Sequence, residues 1–129
     1  MKRGLLLFAH GARDPRWAEP FHAVADRIRT AAPSMPVVLA FLELMKPTLA
    51  EAAERLIGEG CSHVHVVPLF LGTGGHVRRD LPALMVPVER NHPEVRIHLH
   101  PVVGEAEAVL DAMAQVALQL AGVAPAGTR

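Results

Sequence analysis

The sequence contains little cysteine and few aromatic residues: among 129 residues there are one cysteine, one tryptophan and no tyrosine. The single cysteine, Cys61, cannot form an internal disulfide. That usage is typical of the reducing cytoplasm, where we expect the protein to act. Cys61 lies between Gly60 and Ser62, ahead of an apolar run, and we interpret it as a small packed residue.

The sequence also lacks an excess of charge of either sign. Thirteen basic and thirteen acidic residues give a formal net charge of zero. A nucleic-acid-binding surface normally carries a basic excess, so we expect no nucleic-acid partner.

No long hydrophobic run opens the chain. The apolar stretch at residues 4–9 meets His10, Arg13 and Asp14 directly, so it is too short for a signal-peptide core or a membrane span, and we expect no membrane partner. Half of the residues are hydrophobic and the mean hydropathy is +0.24, which excludes a disordered chain. We expect one domain over residues 1–129, with a frayed tail from about residue 122.

Four buried strands alternate with four helices in the pattern of the sequence. We predict strands at residues 5–9, 37–42, 64–70 and 95–99, and helices at about 17–32, 47–57, 76–91 and 105–121. This βαβαβαβα order predicts an α/β fold, a doubly wound four-stranded parallel sheet with helices on both faces and the fourth strand near an edge. Pro82 and Pro87 are expected to interrupt or kink the third helix. The last helix is expected to turn its apolar stripe inward: Val109, Leu110, Met113, Val116, Ala117 and Leu120.

Metal-capable side chains follow the predicted strands at the point where each strand ends. His10 comes after the first, Glu43 after the second, and His100 after the fourth. After the third strand, a glycine-rich turn leads into a helix at or just after His76, which delivers backbone N–H groups to the same edge. Imidazole and carboxylate ligands suit divalent first-row metals, and three ligands leave positions open for chemistry. The HExxH and P-loop signatures are absent.

Simpler interpretations exist for several of these residues. His10 and His76 could cap turns, and Glu43 could pair with Arg13 or Lys46. We interpret His63, His65 and His98, within or beside strands, as solvent-edge or internally satisfied histidines, and His100 as an outer partner of the metal site.

Three segments together resemble a known family. LLLFAHGARDP, FLELMKPTLAEA and VVPLFLGTGGHVRRDLP are similar to the small class II tetrapyrrole chelatases, the short CbiX-type and sirohydrochlorin ferrochelatase group, from about residue 4 to residue 120. Ala12 departs from the family, which usually has serine there. The resemblance implies that His10 and His76 bind the metal, that Glu43 lies in the same cleft, and that chains of this size pair as homodimers.

The resemblance implies insertion of Co²⁺ or Fe²⁺, or Ni²⁺ as a third candidate, into sirohydrochlorin for cobalamin or sirohaem biosynthesis. The metal would be a substrate, with no permanently bound cofactor. We expect His10 and His76 to present the ion and Glu43 to act as a ligand or proton acceptor. Candidate contacts for the carboxylates of the tetrapyrrole are Arg13, Thr73, Gly74, Gly75, Arg78 and Arg79.

Two other functions fit the same residues. A metal carrier would bind the ion through His10 and His76 without catalysis. A flavodoxin-like anion- or nucleotide-binding module would use the glycine-rich loop and ignore the histidines.

Overall fold

The computed structural model describes residues 1–72 and 74–127; Thr73, Thr128 and Arg129 lie outside the described residues, as do the side chains of His76 and Arg78. The strands are β1 (Arg3–Ala9), β2 (Val37–Phe41), β3 (His63–Pro68) and β4 (Arg96–Leu99). The helices are α1 (Glu19–Ala31), α2 (Leu49–Gly58), α3 (Gly75–Asn91) and α4 (Glu107–Leu120), with 3-10 turns at Pro15–Ala18 and Val103–Glu105.

The four strands form one parallel sheet in the order β2-β1-β3-β4. The predicted α/β class is therefore confirmed, and β4 lies at an edge as expected. Phe8 is in register with Ala40 on one side and with Pro68 on the other, so the carboxyl ends of the three strands reach the same edge of the sheet.

Each face of the sheet has its own core, because alternate strand residues point to opposite faces. Leu6, Phe8, Val64 and Val66 pack with α2 and α3 on one face. On the other face, Leu7, Ala9, Leu39 and Phe41 pack with Ala25 of α1. The helices that cover the sheet thus lie on both of its sides, as predicted.

Local sequence signals explain where two of the helical segments begin. Thr48 and Glu51 form a reciprocal capping box that starts α2. Asp14 accepts a hydrogen bond from the Arg16 backbone N–H and caps the turn that leads into α1.

The predicted interruption of the third helix at proline was wrong, and the alternative, a kink, stays a prediction. α3 is one helix from Gly75 to Asn91 with Pro82 and Pro87 inside it. Both prolines are on the exposed side, where the carbonyls that they leave unbonded can reach water. Buried Leu81, Met85 and Val88 hold the opposite side of the helix against α2 and the sheet, and this packing outweighs the local preference.

The prediction that the last helix turns its apolar stripe inward was also wrong. No residue of α4 is buried: Met113, Val116 and Leu120 are about half exposed or more, at 49%, 52% and 84%. α4 packs against the turn Val103–Glu105 rather than over the sheet, so the apolar stripe faces outward. None of the described helices is both long and apolar enough to cross a membrane.

Candidate metal-binding edge

His10 and Glu43 meet at the carboxyl edge of the sheet. His10 follows β1 directly and Glu43 lies just beyond β2, and His10 Nε2 is 3.2 Å from Glu43 Oε1. Both side chains are about half exposed, at 52% and 55%. The pair is therefore accessible from solvent. Glu43 contacts His10, and the described residues show no ion pair between Glu43 and Arg13 or Lys46; its role as a metal ligand stays a prediction.

Backbone pairing beyond the strands brings these two side chains together. The Leu42 N–H donates to the Ala9 carbonyl at 2.9 Å, and the Glu43 N–H donates to the His10 carbonyl at 3.1 Å. Gly11, the residue after His10, has a φ of +100°, which lies in the left-handed region that favours glycine. A Cβ atom at Gly11 would lie 1.9 Å from the Glu43 carbonyl oxygen, so the close approach of the two loops requires glycine here.

The segment after β3 forms the third side of the edge. The Leu69 N–H donates to the Phe8 carbonyl at 2.7 Å, and the Phe70 ring meets the His10 ring edge-on with 6.3 Å between centroids. The Gly104 N–H donates to the Phe70 carbonyl at 3.0 Å. A Cβ atom at Gly104 would lie 1.6 Å from the Leu71 carbonyl oxygen. The turn after β4 therefore fixes the loop beside His10.

The glycine-rich loop reaches the same edge and starts α3. Gly74 is the N-cap and makes no side-chain cap hydrogen bond, and α3 begins at Gly75, so the first turn presents backbone N–H groups without helical partners. His76 lies in that first turn; its side chain is outside the described residues. The structure therefore describes His10 and Glu43 of the expected ligand set, and only the backbone position of His76.

The expected contacts for substrate carboxylates are only partly described. Arg13 is exposed three residues after His10. Arg79 Nε donates to the Gly75 carbonyl at 3.2 Å, so this side chain leans back along its own helix toward the loop. Thr73 and the side chain of Arg78 lie outside the described residues.

Four other histidines form pairs on the sheet. His63 Nδ1 lies 3.0 Å from His98 Nε2, and His65 Nδ1 lies 2.9 Å from His100 Nε2. This agrees with the interpretation of His63, His65 and His98 as satisfied histidines. His100 pairs with His65 and makes no described contact with His10 or Glu43, so its predicted place as an outer partner of the metal site stays a prediction. The sequence did contain a signal for these pairs. Histidines occur at alternate positions of two strands, and alternate residues of a strand point to the same face of the sheet.

Two of these histidines, His63 and His65, favour the uncharged imidazole. Burial lowers the pKa of His63 and of His65 below the usual 6.5, and the neighbouring imidazoles, with Arg3, lower them further. Within the part of the chain that the structure describes, no three His, Cys, Asp or Glu side chains converge on one ion position.

Residues 4–120 match the model of the CbiX family. The chain belongs to the CbiX family. The family resemblance inferred from the three sequence segments is thereby confirmed. The chain is 34% identical over 114 residues to the sirohydrochlorin ferrochelatase of Bacillus subtilis (strain 168), an alignment that covers 88% of this chain and 43% of that protein. It is 39% identical over 82 residues to the sirohydrochlorin cobaltochelatase of Saccharolobus solfataricus, covering 64% of this chain and 62% of that protein.

Solved CbiX-family structures share the fold. A CbiX protein from Marinobacter aquaeolei VT8 superposes with a TM-score of 0.82 at 32% identity, covering 93% of this chain and 98% of that chain. SirB from Bacillus subtilis with Fe³⁺ gives a TM-score of 0.80 at 29% identity, covering 93% of this chain and 48% of that one. The sirohydrochlorin chelatase SirB from Bacillus subtilis subspecies spizizenii, in complex with cobalt, gives 0.81 at 27% identity, covering 93% and 51%. This CbiX-family chain thus spans about half the length of SirB.

Proposed function

We propose that this CbiX-family protein inserts a divalent metal ion into sirohydrochlorin. The observation that carries the proposal is the exposed His10–Glu43 pair, with 3.2 Å between Nε2 and Oε1, at the carboxyl edge of the sheet. The curated relatives are a sirohydrochlorin ferrochelatase and a cobaltochelatase, so Fe²⁺ and Co²⁺ are the first ions to consider, with Ni²⁺ as the third. The ion is a substrate rather than a resident cofactor.

The spacing of the pair supports binding of one ion by both side chains. Two ligand atoms that each lie about 2.1 Å from an ion, at right angles to one another, are about 3.0 Å apart. His10 Nε2 and Glu43 Oε1 already have nearly that separation. We assign them two positions around the ion and give a third to His76, from the first turn of α3. The remaining positions stay open for the nitrogens of the tetrapyrrole.

Insertion must also remove two protons from the tetrapyrrole. Two pyrrole N–H bonds break, the metal forms bonds to the four ring nitrogens, and two protons leave. As the ion moves to the ring, Glu43 and His10 lose their metal and become free to accept those protons. Because both side chains are about half exposed, they can pass the protons to water.

Exposed apolar and cationic residues border the pair and suit a tetrapyrrole that carries carboxylates. Leu44 follows Glu43 and is 61% exposed, and Leu71 follows Phe70 and is 60% exposed. We assign these two leucines to the apolar ring system. The cationic and amide contacts for its carboxylates remain those proposed from the sequence: Arg13, Thr73, Gly74, Gly75, Arg78 and Arg79.

We also propose that the protein acts as a homodimer that associates through α4. α4 presents an apolar surface that none of the described residues of the same chain covers. It consists of Met113, Val116, Ala117 and Leu120. SirB chains are about twice the length that this chain covers, and a second copy would supply a comparable length. We place the protein in the cytoplasm, because its single cysteine, Cys61, is a free and buried thiol.

The function is tested by an anaerobic absorbance assay with sirohydrochlorin and Co²⁺, Fe²⁺ or Ni²⁺ in turn. Spectral conversion should exceed the spontaneous rate and be lost in the His10→Ala/His76→Ala variant, whereas the exposed His22→Ala control should remain active. Metal binding without conversion would instead support the carrier function. Phosphate binding that persists in His10→Ala, again without conversion, would support the anion-binding module.

A further inference from the structure

A strip of four histidines covers one face of the sheet at β3 and β4. The histidine strip consists of His63 and His65 on β3, His98 on β4 and His100 directly after it. Val64 and Val66 point into the core under α2 and α3, so the alternate residues His63 and His65 point to the opposite face. His65 is in register with His98, which places all four rings together.

The rings are ordered along the strands rather than scattered. His65 stacks on His98 with 4.5 Å between centroids, and on His100 with 5.1 Å. His98 in turn stacks on His63 at 5.2 Å. The strip therefore presents successive imidazoles from the middle of the sheet toward the end of β4.

The nitrogen spacing within each pair matches that of two ligands on one metal ion. Nitrogens bound about 2.05 Å from an ion, at right angles, lie about 2.9 Å apart. The facing nitrogens of His65 and His100 are 2.9 Å apart, and those of His63 and His98 are 3.0 Å apart. An ion could take both nitrogens of a pair with little movement of the strands.

The hydrogen bond between His65 and His100 also suits a metal. Neutral imidazole is the ligand form, and a bond between two ring nitrogens 2.9 Å apart needs one nitrogen without a proton to accept it. In the metal-free pair, one facing nitrogen carries the proton of the hydrogen bond. When an ion binds, that ring takes its other tautomer, with the proton on the outward nitrogen. Both facing nitrogens then offer lone pairs, and no net proton is released.

We propose that His65 and His100 form a second binding site for a divalent transition metal, separate from the His10–Glu43 pair. The surrounding charges favour this pair over His63 and His98. After burial and the imidazole of His98, Arg96, Arg3 and the N-terminal amine lower the pKa of His63, whereas the pKa of His65 is lowered first by burial and by the imidazoles of His98 and His100, with Arg3 after them. His100 is also exposed. Imidazole ligands suit Co, Ni, Cu and Zn, and two ligands with water completing the coordination hold an ion reversibly.

The second site is too far from the edge to share its ion. His65 is in register with Leu5, and His100, two residues after His98, is level with Leu7. Leu5 lies five residues before His10, and Leu7 lies three residues before it. At about 3.3 Å per strand residue, His100 and His65 are therefore roughly 10 and 16 Å from His10 along the strand direction.

The site is tested in the full-length His10→Ala/His76→Ala protein, which lacks two ligands of the edge. Anaerobic Co²⁺ titration, followed by visible absorbance and calorimetry, should detect one ion per chain. Adding His65→Asn or His100→Asn should weaken binding about tenfold or more, since even loss of an outer partner of a ligand costs that much. His22→Asn and His92→Asn are the controls and should leave the affinity unchanged.

Spectroscopy separates the proposed site from loss of folding. In ¹⁵N-labelled protein, Co²⁺ should broaden the imidazole signals of His65 and His100 before those of His22 and His92. The proposal is overturned if the double variant binds no Co²⁺, if binding survives both strip substitutions, or if His22 or His92 is the residue affected. Metal insertion into sirohydrochlorin is measured separately, in a His65→Asn variant that keeps His10, Glu43 and His76. The proposed function and the proposed second metal site can therefore fail independently.

Discussion

Gly11 lies so close to Glu43 that a Cβ atom on residue 11 would be 1.9 Å from the Glu43 carbonyl oxygen, and the φ of Gly11 is +100°. The two loops that carry His10 and Glu43 can therefore approach only because residue 11 has no side chain. The His10–Glu43 distance depends on this contact.

Gly11→Ala should separate the two loops and destabilise the protein. The left-handed conformation alone costs an alanine about 1–2 kcal/mol, and the overlap with the Glu43 carbonyl adds to that cost. We expect a lower free energy of unfolding in urea titrations and a loss of Co²⁺ affinity. The matched control is Gly58→Ala, since a Cβ atom at Gly58 meets nothing within 4 Å. Equal stability of the two variants would contradict the role given to Gly11.

Glu43→Gln should weaken metal binding at the edge while leaving the fold intact. The amide keeps the shape of the carboxylate and can still bond to His10, but it loses the negative charge and the capacity to accept a proton. We expect the affinity for Co²⁺ and the rate of insertion to fall by about 10- to 100-fold each, measured by calorimetry and by absorbance. Glu89→Gln, on the exposed side of α3, is the control. Full activity of Glu43→Gln would remove Glu43 from the ligand set.

The histidine strip should make stability depend on pH near neutrality. The folded-state pKa values of His63 and His65 lie below the usual 6.5, so the unfolded chain binds more protons when the pH is below about 6.5. The stabilisation is complete above this pH and is lost as the pH falls toward the folded-state values. The Tm should therefore fall between pH 7.5 and pH 5, as measured by circular dichroism.

Removing one ring of the strip should reduce that dependence. His98→Asn takes away an imidazole that lowers the pKa of both His63 and His65, so its Tm should fall less on acidification. His22→Asn should behave like the unmodified protein. If His98→Asn and His22→Asn lose the same Tm over this range, the strip is not the source of the pH dependence.

Charges on the apolar stripe of α4 should dissociate the proposed dimer without unfolding the chain. Met113 and Val116 are half exposed, so lysine at either position costs the isolated chain little. Each would forfeit about 1.5–3 kcal/mol of apolar burial at an interface. Light scattering should show a dimer for the unmodified protein and a monomer for Met113→Lys/Val116→Lys. Gln115→Lys, on the other side of the helix, should remain dimeric; a dimer that survives the double substitution would exclude α4 as the interface.

Much of the edge could be predicted from the sequence, because parallel strands end at one side of the sheet. Apolar runs with a residue such as His10 or Glu43 directly after them are enough to place those side chains together. The position of α4 was not predictable in the same way. Its apolar stripe indicates that one side of the helix packs against another surface. The same pattern arises whether that surface is the sheet of the same chain or a second molecule.

Two other features depended on contacts that a pattern does not contain. The pairing of His65 with His100 depends on the register of β3 with β4, and register is decided by the whole sheet. The continuity of α3 through Pro82 depends on Leu81 and Met85 being buried on the side away from the prolines, so tertiary packing outweighed a local rule.

The turn Val103–Glu105 contacts two parts of the molecule at once. α4 packs on it, and its central residue, Gly104, touches the backbone of Leu71 beside the metal-binding edge. The helix proposed to join two copies and the loop that borders His10 are thus attached to the same three residues. If two copies associate through α4 as proposed, a shift of α4 would reach the loop beside His10 through the contacts of Gly104 with Phe70 and Leu71. The width of the edge would then depend on the oligomeric state.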